Sequence, residues 1–382
     1  MRTKEELHKV AKEFFNVDNI VEIIEMPGGH VNSTYMVVFP ECRYILQQLN
    51  DKVFLSPFGV MNNIDLITEH IRKRCIYEGR SLPRSVLNFI KTRYGQSLAL
   101  VNDEYWRCME FVEDGKTYLQ LENAQMFEEA GRAVGDFQYL LSGFHTRLLD
   151  ETIKHFHDTP YRYERFKELI EKNKDSERVK EVTKEIEFIN KRKDIMSYIV
   201  ERIASGELPR RVCHNDTKLA NIMIDKNTGK FMCLIDLDTV MKGSLLYDYG
   251  DALRMGASTA LEDEIDLEKV GINLELIESF TKGFLEETRP RNNSTYITGK
   301  EIDSLYYGYL IITLELGMRF LHDYIDGDVY FKVDADRPKH NLERARNQLK
   351  LVEEIEKNKN KINEIIEKIK KSIYENKQYI AK

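Results

Sequence analysis

The sequence predicts an α+β fold in two lobes, a small β-rich N-terminal lobe and a large, mainly helical C-terminal lobe. Over roughly the first 120 residues, short runs rich in β-branched and aromatic residues alternate with turn residues, as in strands. From Asn123 onward, apolar residues recur mostly at the three- and four-residue spacing of helices. The chain has 382 residues, of which 42% are hydrophobic, which is enough for two bodies with real cores. We place the lobes at residues 1–114 and 115–382.

The N-terminal lobe is predicted to begin with a charged amphipathic helix and to continue as a sheet. A helix is predicted over residues 57–78, because Val60, Ile64 and Ile67 share one helical face. The residues Pro27, Gly28 and Gly29 favour a turn between the first two strands. The predicted strands are residues 19–26, 33–39, 42–49, 86–92 and 105–111.

The C-terminal lobe is predicted to be helical around one β-hairpin. Two strand-like runs, residues 220–224 and 231–235, are separated by a hairpin-type turn, and both lie in the middle of the chain. The last helix carries Ile362, Ile366, Ile369 and Ile373 on one stripe, which predicts a surface helix docked by that stripe; a coiled-coil partner is the alternative. The predicted helices are residues 124–142, 161–203, 266–287, 301–325 and 350–371.

Composition excludes several classes of protein. The net charge is −7 and no basic block occurs, which argues against a nucleic-acid-binding protein. No apolar run approaches the roughly 20 residues of a membrane span, and the N-terminus lacks the apolar core of a signal peptide, so a cytoplasmic protein is expected. The five cysteines are widely spaced without a CxxC pair, which favours reduced thiols over disulfides or a zinc site.

The stretch His214–Asn221 has the residue types that phosphoryl transfer requires. Such a reaction needs a group that accepts the proton of the acceptor hydroxyl, a hard cation for the phosphate oxygens and a positive side chain. Asp216 fits the base and Lys218 the positive charge, while Asn221 and Asp236 supply the oxygen ligands that Mg²⁺ prefers. The pattern H-x-D-x-K-x-x-N matches the catalytic loop of protein kinases. In the alternative interpretation, the motif residues are ordinary capping and loop residues without a catalytic role. We expect His214 to be a buried residue that holds the loop through hydrogen bonds.

A glycine-containing turn between the first two strands is the candidate phosphate-binding loop. Glycines let backbone N–H groups approach phosphate oxygens, and neighbouring hydroxyl and amide side chains can add donors. An ordinary turn is the alternative, and only the downstream motif favours a nucleotide site. The candidate residues are Gly28, Gly29, His30, Asn32, Ser33 and Thr34.

The third strand departs from the simple kinase pattern. Kinases carry a lysine there that pairs with the nucleotide phosphates. The segment 44–50 contains none. Either Gln47 or Gln48 takes its place, or the positive charge comes from Lys52 or Arg43.

These residues together resemble the aminoglycoside phosphotransferase/choline kinase superfamily. Further segments are similar to N-acetylhexosamine 1-kinases, and the resemblance extends from about residue 20 to residue 355. Those segments are residues 29–35, 44–47, 60–64, 214–218, 235–241, 247–251, 317–321, 327–331 and 340–346.

The resemblance implies a protein-kinase-like bilobal fold and phosphorylation of a sugar at its anomeric hydroxyl by ATP and Mg²⁺. It implies that Asp216 deprotonates the hydroxyl and that Lys218 approaches the γ-phosphate. It implies that Asn221 and Asp236 bind Mg²⁺, and that the glycine turn and Gln47 bind the nucleotide. Arg319 and Tyr330 fall where the sugar would bind. The expected partners are ATP and a small-molecule sugar, with the protein acting as a monomer.

Two alternatives remain open at this point. The same fold could phosphorylate choline, an aminoglycoside or another sugar, and a cationic acceptor would need an acidic or aromatic pocket. Glu262, Asp263 and Glu264 form an acidic cluster, although we expect a solvated loop there. The missing third-strand lysine also allows a nucleotide-binding scaffold without turnover.

Overall fold

The chain forms two compact units. In the computed structural model, the described residues are 2–27, 32–289 and 296–374. The first unit comprises Met1–Lys116, Leu140–Lys154 and Met223–Lys242, and the second Thr117–Tyr139, His155–Ile222 and Gly243–Lys382. Within the described part of the chain, a six-stranded antiparallel sheet is accompanied by long helices, so the predicted α+β fold class is confirmed.

The strands begin and end close to the predicted bounds in the N-terminal sheet. Only two residues of the predicted strand 86–92 pair, and a short strand begins at the predicted boundary between the lobes, at Gly115. The strands are β1 (Glu22–Glu25), β2 (Ser33–Val38), β3 (Arg43–Gln48), β4 (Phe89–Ile90), β5 (Ala99–Val101), β6 (Glu104–Glu110), β7 (Gly115–Lys116), β8 (Arg211–Cys213), β9 (Ile222–Asp225), β10 (Phe231–Leu234) and β11 (Met241–Gly243).

The large sheet of the first unit has the order β1-β2-β3-β6-β4, and β5 pairs with the other half of β6. Alternate residues face one core: Val37, Leu46 and Cys108 are fully buried and belong to the same cluster as Val10 of the N-terminal helix. The β5–β6 hairpin turns through two residues with positive φ, as a tight two-residue turn requires. The period-two pattern therefore fixes which face of each strand is buried.

The second unit is mainly helical, whereas the first two helices of the chain belong to the first unit. The helices are α1 (Lys4–Ala11), α2 (Pro57–Tyr77), α3 (Ala124–Leu140), α4 (Thr159–Lys172), α5 (Glu177–Glu181), α6 (Thr183–Asn190), α7 (Tyr198–Ala204), α8 (Leu245–Gly256), α9 (Leu274–Thr288), α10 (Gly299–Asp303), α11 (Leu305–Asp326), α12 (His340–Lys357) and α13 (Lys359–Tyr374).

Three predicted helices are divided in the structure. The stretch 301–325 breaks at Ser304, between α10 and α11. The stretch 161–203 forms four separate helices, because Asn173 ends α4 and the Ser176 side chain caps the next helix. The stretch 350–371 belongs to α12 and α13, which meet at Asn358. Short polar caps of this kind end one helix and begin the next, while the apolar residues on either side keep their helical spacing. The spacing alone therefore did not reveal the breaks.

Helix α11 is the centre of the second unit and packs against α4, α8 and α12. Its contact with α8 is made backbone to backbone. A Cβ at Gly250 would overlap the carbonyl oxygen of Gly308, and one at Gly308 would overlap that of Leu246. The close approach of these helices therefore depends on two glycines.

Three of the four isoleucines of the predicted stripe on the last helix are buried, and Ile373 is half-buried. Ile362, Ile366 and Ile369 are at most 6% exposed, and α13 packs against α9. All five cysteines are free, and four of them are buried, as predicted. In the described ranges, no helix combines the length and the apolar character needed to cross a membrane.

Candidate active site

The structure brings Asp216, Lys218 and Asn221 together in one loop. The loop leaves β8 and ends in the 3₁₀ turn Leu219–Asn221 before β9. Lys218 Nζ lies 2.6 Å from Asp216 Oδ2, and Asn221 Nδ2 donates to the same oxygen at 2.9 Å. The side chains of Asp216 and Lys218 are about one-third exposed, so a ligand can reach them. We call these three residues the catalytic-loop cluster.

Helix α8 holds this loop from behind. The buried Asp248 carboxylate accepts hydrogen bonds from the backbone N–H groups of His214 (2.9 Å) and Asn215 (2.8 Å). Asp251 accepts one from the N–H of Thr217 at 2.9 Å. Asn215 has a φ of +66°, a conformation that asparagine tolerates better than most residues. The two carboxylates thus fix a strained turn, and the sequence analysis quoted their motif without giving them this role.

Burial governs the charge state of Asp248. Burial raises its pKa to about 6, although His214, the two loop amides and Gln138 act in the opposite direction. Gln138 Nε2 donates to Asp248 at 2.7 Å and its Oε1 accepts from the Tyr296 hydroxyl at 2.8 Å. His214 is fully buried beside the Phe137 ring, as expected of a structural residue.

The acidic cluster at residues 262–264 is not the solvated loop that we expected. Glu262 forms ion pairs with Arg254 and Arg344, and its side chain is only 18% exposed. Burial alone would raise the pKa of Glu262, but the two guanidiniums lower it. Arg254 also contacts Asp251 at 3.0 Å, so Glu262 supports the helix that holds the catalytic loop.

Asp236 and Asp238 lie in the first unit, in and beside the 3₁₀ turn Leu237–Thr239. Asp236 is exposed and adopts a left-handed conformation, with φ 59° and ψ 60°. Asp238 is 3% exposed. The segment is also held by Asn63 of α2, whose Nδ2 donates to the carbonyl of Val240 at 2.9 Å. The turn therefore presents one carboxylate to solvent and buries the other.

The buried Asp238 is the centre of a polar network that includes three predicted nucleotide-site residues and Arg107. Asn32 Nδ2 donates to Asp238 Oδ2 at 2.7 Å, and Arg107 Nη1 forms an ion pair with Asp238 Oδ1. Arg107 Nε and Nη2 donate to Gln47 Oε1 at 3.0 and 2.9 Å, and Gln47 Nε2 donates to Thr34 Oγ1 at 3.1 Å. We call this the Arg107 network.

The remaining predicted nucleotide-site residues lie outside this network or outside the described structure. Ser33 is exposed at the start of β2 and pairs in register with Gln48. Gly28, Gly29 and His30 fall outside the described residues. The sequence analysis missed Arg107; the available signal was an arginine inside a strand that is apolar on both sides.

Of the cations considered for the third strand, neither Lys52 nor Arg43 is buried. Arg43 forms an ion pair with Glu113 at the surface, with 39% of its side chain exposed. Lys52 is exposed in the turn after β3. Arg107, by contrast, is 1% exposed and is the cross-strand partner of Gln47.

Arg319 and Tyr330 lie together in the second unit. The Arg319 guanidinium lies 5.7 Å from the ring centroid of Tyr330, 5.3 Å from that of Phe156 and 5.5 Å from that of Phe331. The Tyr330 ring is 61% exposed. We call these four residues the Arg319 cluster.

A buried carboxylate stands behind the Arg319 cluster. Glu315 accepts a hydrogen bond from Thr159 Oγ1 at 2.6 Å, and its Oε1 lies 2.9 Å from His157 Nδ1 and 3.8 Å from Arg162 Nε. Burial alone would raise the pKa of Glu315, but His157, Arg162 and Arg319 lower it to about 2. Burial and the nearby Arg319 charge lower the pKa of Arg162 to about 10.

The backbone of the loop that carries Tyr330 is fixed by one carboxylate. Asp323 accepts hydrogen bonds from the N–H groups of Val329, Tyr330 and Phe331 at 2.8–3.0 Å. Asn341 Nδ2 donates to Asp323 Oδ2 at 2.9 Å. This loop is therefore positioned by α11 and α12 together.

Contacts within the second unit link the Arg319 cluster to the catalytic loop through α8. The His157 ring, which contacts Glu315, packs on the ring of Tyr247 with centroids 4.8 Å apart. The next residue along α8 is Asp248, which holds the catalytic loop. Tyr247 thus reaches the Arg319 cluster only through His157, whose ring lies 4.5 Å from that of Phe156, while the adjacent Asp248 contacts the catalytic loop directly.

The side chains present fit a magnesium ion that is completed by phosphates. Asn221 uses Nδ2 for its contacts with Asp216, which leaves the amide Oδ1 as a metal-binding atom. Among residues 2–27, 32–289 and 296–374, no group of three or more His, Cys, Asp or Glu side chains is arranged to hold a metal ion. Mg²⁺ commonly takes only one or two protein oxygens and obtains the others from phosphates and water.

Comparison with known proteins adds a family and a fold. A family model described as "Phosphotransferase enzyme family" (APH) matches residues 22–271. An aminoglycoside phosphotransferase from Alicyclobacillus acidocaldarius is 11% identical, with a TM-score of 0.58 over 95% of this chain and 97% of that one. An amicoumacin kinase solved with AMP-PNP, Ca²⁺ and Ami is 11% identical, with a TM-score of 0.55 over 91% and 93%. A Plasmodium vivax ethanolamine kinase is 13% identical, with a TM-score of 0.53 over 89% and 85%. The predicted kinase-like fold class is thereby confirmed.

Proposed function

Because this chain belongs to the phosphotransferase enzyme family, we propose that it transfers the γ-phosphoryl group of ATP to the anomeric hydroxyl of an N-acetylhexosamine. The family confirms the broader resemblance and a phosphotransferase activity with a hydroxyl acceptor. The choice of N-acetylglucosamine or N-acetylgalactosamine as acceptor is our proposal, and it rests on the similar segments named above and on the Arg319 cluster.

In this proposal, Asp216 accepts the proton of the attacking hydroxyl. The hydroxyl oxygen forms a bond to the γ-phosphorus, the bond to the β-phosphate bridging oxygen breaks, and ADP leaves. Asp216 Oδ2 already receives donors from Lys218 and Asn221, which leaves Oδ1 to face the substrate. An anomeric hydroxyl is more acidic than other sugar hydroxyls, so an ordinary carboxylate suffices as base.

Asn221 and Asp236 are proposed to hold Mg²⁺, and Lys218 to contact the moving phosphoryl group. When bound, the metal ion would neutralise the phosphate oxygens and orient them for in-line transfer. Lys218 Nζ forms an ion pair with Asp216 Oδ2, and both side chains are partly exposed. A γ-phosphate oxygen offers Lys218 a second anionic partner without removing the first.

The observation that carries the choice of acceptor is the pair of guanidiniums beside aromatic rings, of which Tyr330 is exposed. Arg319 and Arg162 lie close enough for each to affect the other electrostatically, and Tyr330 exposes a ring face beside them. An aromatic face packs on a sugar ring, and guanidinium N–H groups donate to hydroxyl and amide carbonyl oxygens. Glu315 can neutralise only one of the two guanidiniums, so the remaining positive charge disfavours a cationic acceptor such as choline or an aminoglycoside.

The hypothesis of a nucleotide-binding scaffold without turnover has less support than the kinase proposal. It rested on the missing third-strand lysine, but a buried arginine lies beside Gln47 on the neighbouring strand. With Asp216, Lys218, Asn221 and an exposed Asp236 all retained, we expect turnover.

The experiment is an acceptor panel with labelled ATP and Mg²⁺. We expect N-acetylglucosamine or N-acetylgalactosamine to give a product with phosphorus on the anomeric carbon, identified by ³¹P–¹³C coupling. The corresponding methyl glycosides have no free anomeric hydroxyl and are the matched controls. Turnover of choline, ethanolamine or kanamycin without turnover of either free sugar would refute the proposed acceptor.

A further inference from the structure

The place of the usual third-strand lysine is taken by a glutamine that contacts a cation on the next strand. Gln47 of β3 and Arg107 of β6 are directly opposite in the antiparallel register. Side chains that face each other in this way have Cβ atoms about 5 Å apart, so a function can move between them. Here the Gln47 Oε1 accepts hydrogen bonds from both Nε and Nη2 of Arg107.

Arg107 is far more buried than a surface arginine, so its charge must be compensated. It is 1% exposed, and its compensating anion is Asp238, which is 3% exposed. The ring of Phe89 lies 5.7 Å from the guanidinium and covers another side. A buried pair of this kind adds little net stability compared with an apolar pair, although breaking it is costly. A positional role therefore explains the pair better than stabilisation does.

The Arg107 network ends at two predicted ligand-binding segments of the first unit. Asp238 lies two residues beyond Asp236, which is exposed in a left-handed conformation. The other oxygen of Asp238 accepts from Asn32, whose own Oδ1 accepts the N–H of Asn50 at 3.0 Å. Arg107 thereby fixes the turn that presents Asp236 and the residue that follows the glycine turn.

We infer that Arg107 is a positioning residue that replaces the third-strand lysine. It acts through Asp238 on Asp236 and through Asp238 on Asn32, and it contacts no phosphate itself because it is buried. This inference rests on the proposed function, since it takes Asp236 as a ligand of the nucleotide-bound Mg²⁺.

The test measures ADP binding by calorimetry with and without Mg²⁺ in folded variants. In Arg107→Lys, which keeps the charge but loses the fork to Gln47, we expect the Mg²⁺-dependent gain in ADP affinity to fall about 10-fold. In Arg107→Met we expect a fall of about 100-fold, the range seen when groups that orient metal ligands are removed. Affinity for ADP without Mg²⁺ should fall by a smaller factor, because Arg107 also supports Asn32 and Gln47.

The decisive variant moves the cation back to the third strand. In Gln47→Lys/Arg107→Met, a lysine at position 47 can reach Asp238 across the strand pair, and we expect most of the Mg²⁺-dependent affinity to return. Arg93→Met, in the same unit but paired with Glu13 at the surface, is the matched control and should bind like the wild type.

Two outcomes would overturn the inference. One is a folded Arg107→Lys or Arg107→Met with wild-type Mg²⁺-dependent ADP affinity. The other is a folded double variant that binds no better than Arg107→Met, or no better than Arg107→Lys if Arg107→Met does not fold. Because ADP binding involves no acceptor, these results are independent of which alcohol is phosphorylated.

In steady-state assays, the KM for ATP should rise in Arg107→Lys while the KM for the acceptor is unchanged. A residue that only stabilised the fold would lower the melting temperature and leave this split and the Mg²⁺ dependence as they are in the wild type.

Discussion

Asp216 differs from the other carboxylates around it by being both partnered and accessible. One of its oxygens receives Lys218 and Asn221, yet 30% of its side chain is exposed. Asp248 and Asp251, by contrast, accept hydrogen bonds from backbone N–H groups of the loop. The division of labour is therefore visible from exposure: the exposed carboxylate is the candidate base, and the buried ones hold the backbone.

For Asp216→Asn we expect a loss of turnover of about 10²- to 10⁴-fold, the usual contribution of a general base. Asparagine keeps the size and can still accept from Lys218, so the melting temperature and ADP affinity should stay near those of the wild type. Asp194→Asn, at an exposed position away from the loop, is the control. Wild-type turnover in Asp216→Asn would show that another group takes the proton.

Single residues of the catalytic-loop cluster were predictable because their spacing is local. Asp216, Lys218 and Asn221 lie within six residues, so their proximity could be predicted from one motif, and their catalytic roles are the proposal made above. Arg107 and Asp238 were not predictable, because they are 131 residues apart and meet only in the folded first unit. The acidic residue Glu262 was misjudged for the same reason: its partners Arg254 and Arg344 come from two helices.

At the scale of elements, α8 connects the catalytic loop to the helical core of the second unit. One side presents Asp248 and Asp251 to the catalytic loop, while Gly250 meets the backbone of α11 at Gly308. Moving α8 outward would therefore shift the loop as well as the core. The helix position is a condition for the geometry of the catalytic-loop cluster.

We expect Gly308→Ala to destabilise the protein by about 1–3 kcal/mol, because the added Cβ overlaps the carbonyl oxygen of Leu246. Turnover should fall along with it, since α8 must move. Denaturant unfolding and initial rates give the two quantities. Gly299→Ala adds a Cβ into open space and should change neither. An unchanged unfolding free energy for Gly308→Ala would show that the helices can separate without cost.

Element types were easier to predict than element ends. Helix α2 begins and ends within one residue of the predicted bounds, because Ser56 and Pro57 are strong start signals and the apolar period is regular. The stretch 86–92 has the composition of a strand, but only Phe89 and Ile90 find a partner on β6. Composition reports a preference, whereas pairing requires a neighbour that the local sequence does not specify.

At the scale of the whole molecule, stability depends on compensated buried charges as well as on the apolar core. Glu315 is 1% exposed and is surrounded by His157, Arg162 and Arg319. These neighbours hold its pKa at about 2, below its ordinary value of 4.5. Because the folded pKa is depressed, the associated stability is present above pH 4.5 and is lost as the pH falls through about 2.

For Glu315→Gln we expect a loss of about 3 kcal/mol in unfolding free energy at pH 7, from the shift of about 2.5 pKa units. The difference from the wild type should shrink below pH 4.5, where the unfolded-state carboxyl of the wild type becomes protonated. Urea titrations at pH 7, 5, 4 and 3 measure it. The exposed Glu268→Gln is the control. A difference that stayed constant down to pH 3 would contradict the depressed pKa.

The α+β class and the family could be predicted from the sequence, but the composition of the compact units could not. Leu140–Lys154 and Met223–Lys242 belong to the same unit as the N-terminal sheet, although both lie far along the chain. Asp150 shows how this arises, since its N–H donates to Asn63 Oδ1 of α2 at 2.8 Å. Contacts of such long range leave no periodic signal in either segment.

The single carboxylate of Asp323 beneath the loop at 329–331 has an evolutionary consequence. Three successive amides are anchored by one side chain from the preceding helix, so the loop backbone does not depend on which side chain projects at position 330. Under the acceptor-binding role proposed for Tyr330, its exchange alone would change which alcohol is accepted and leave the phosphate chemistry intact. Family members with this bracing would be able to diverge in substrate choice one mutation at a time.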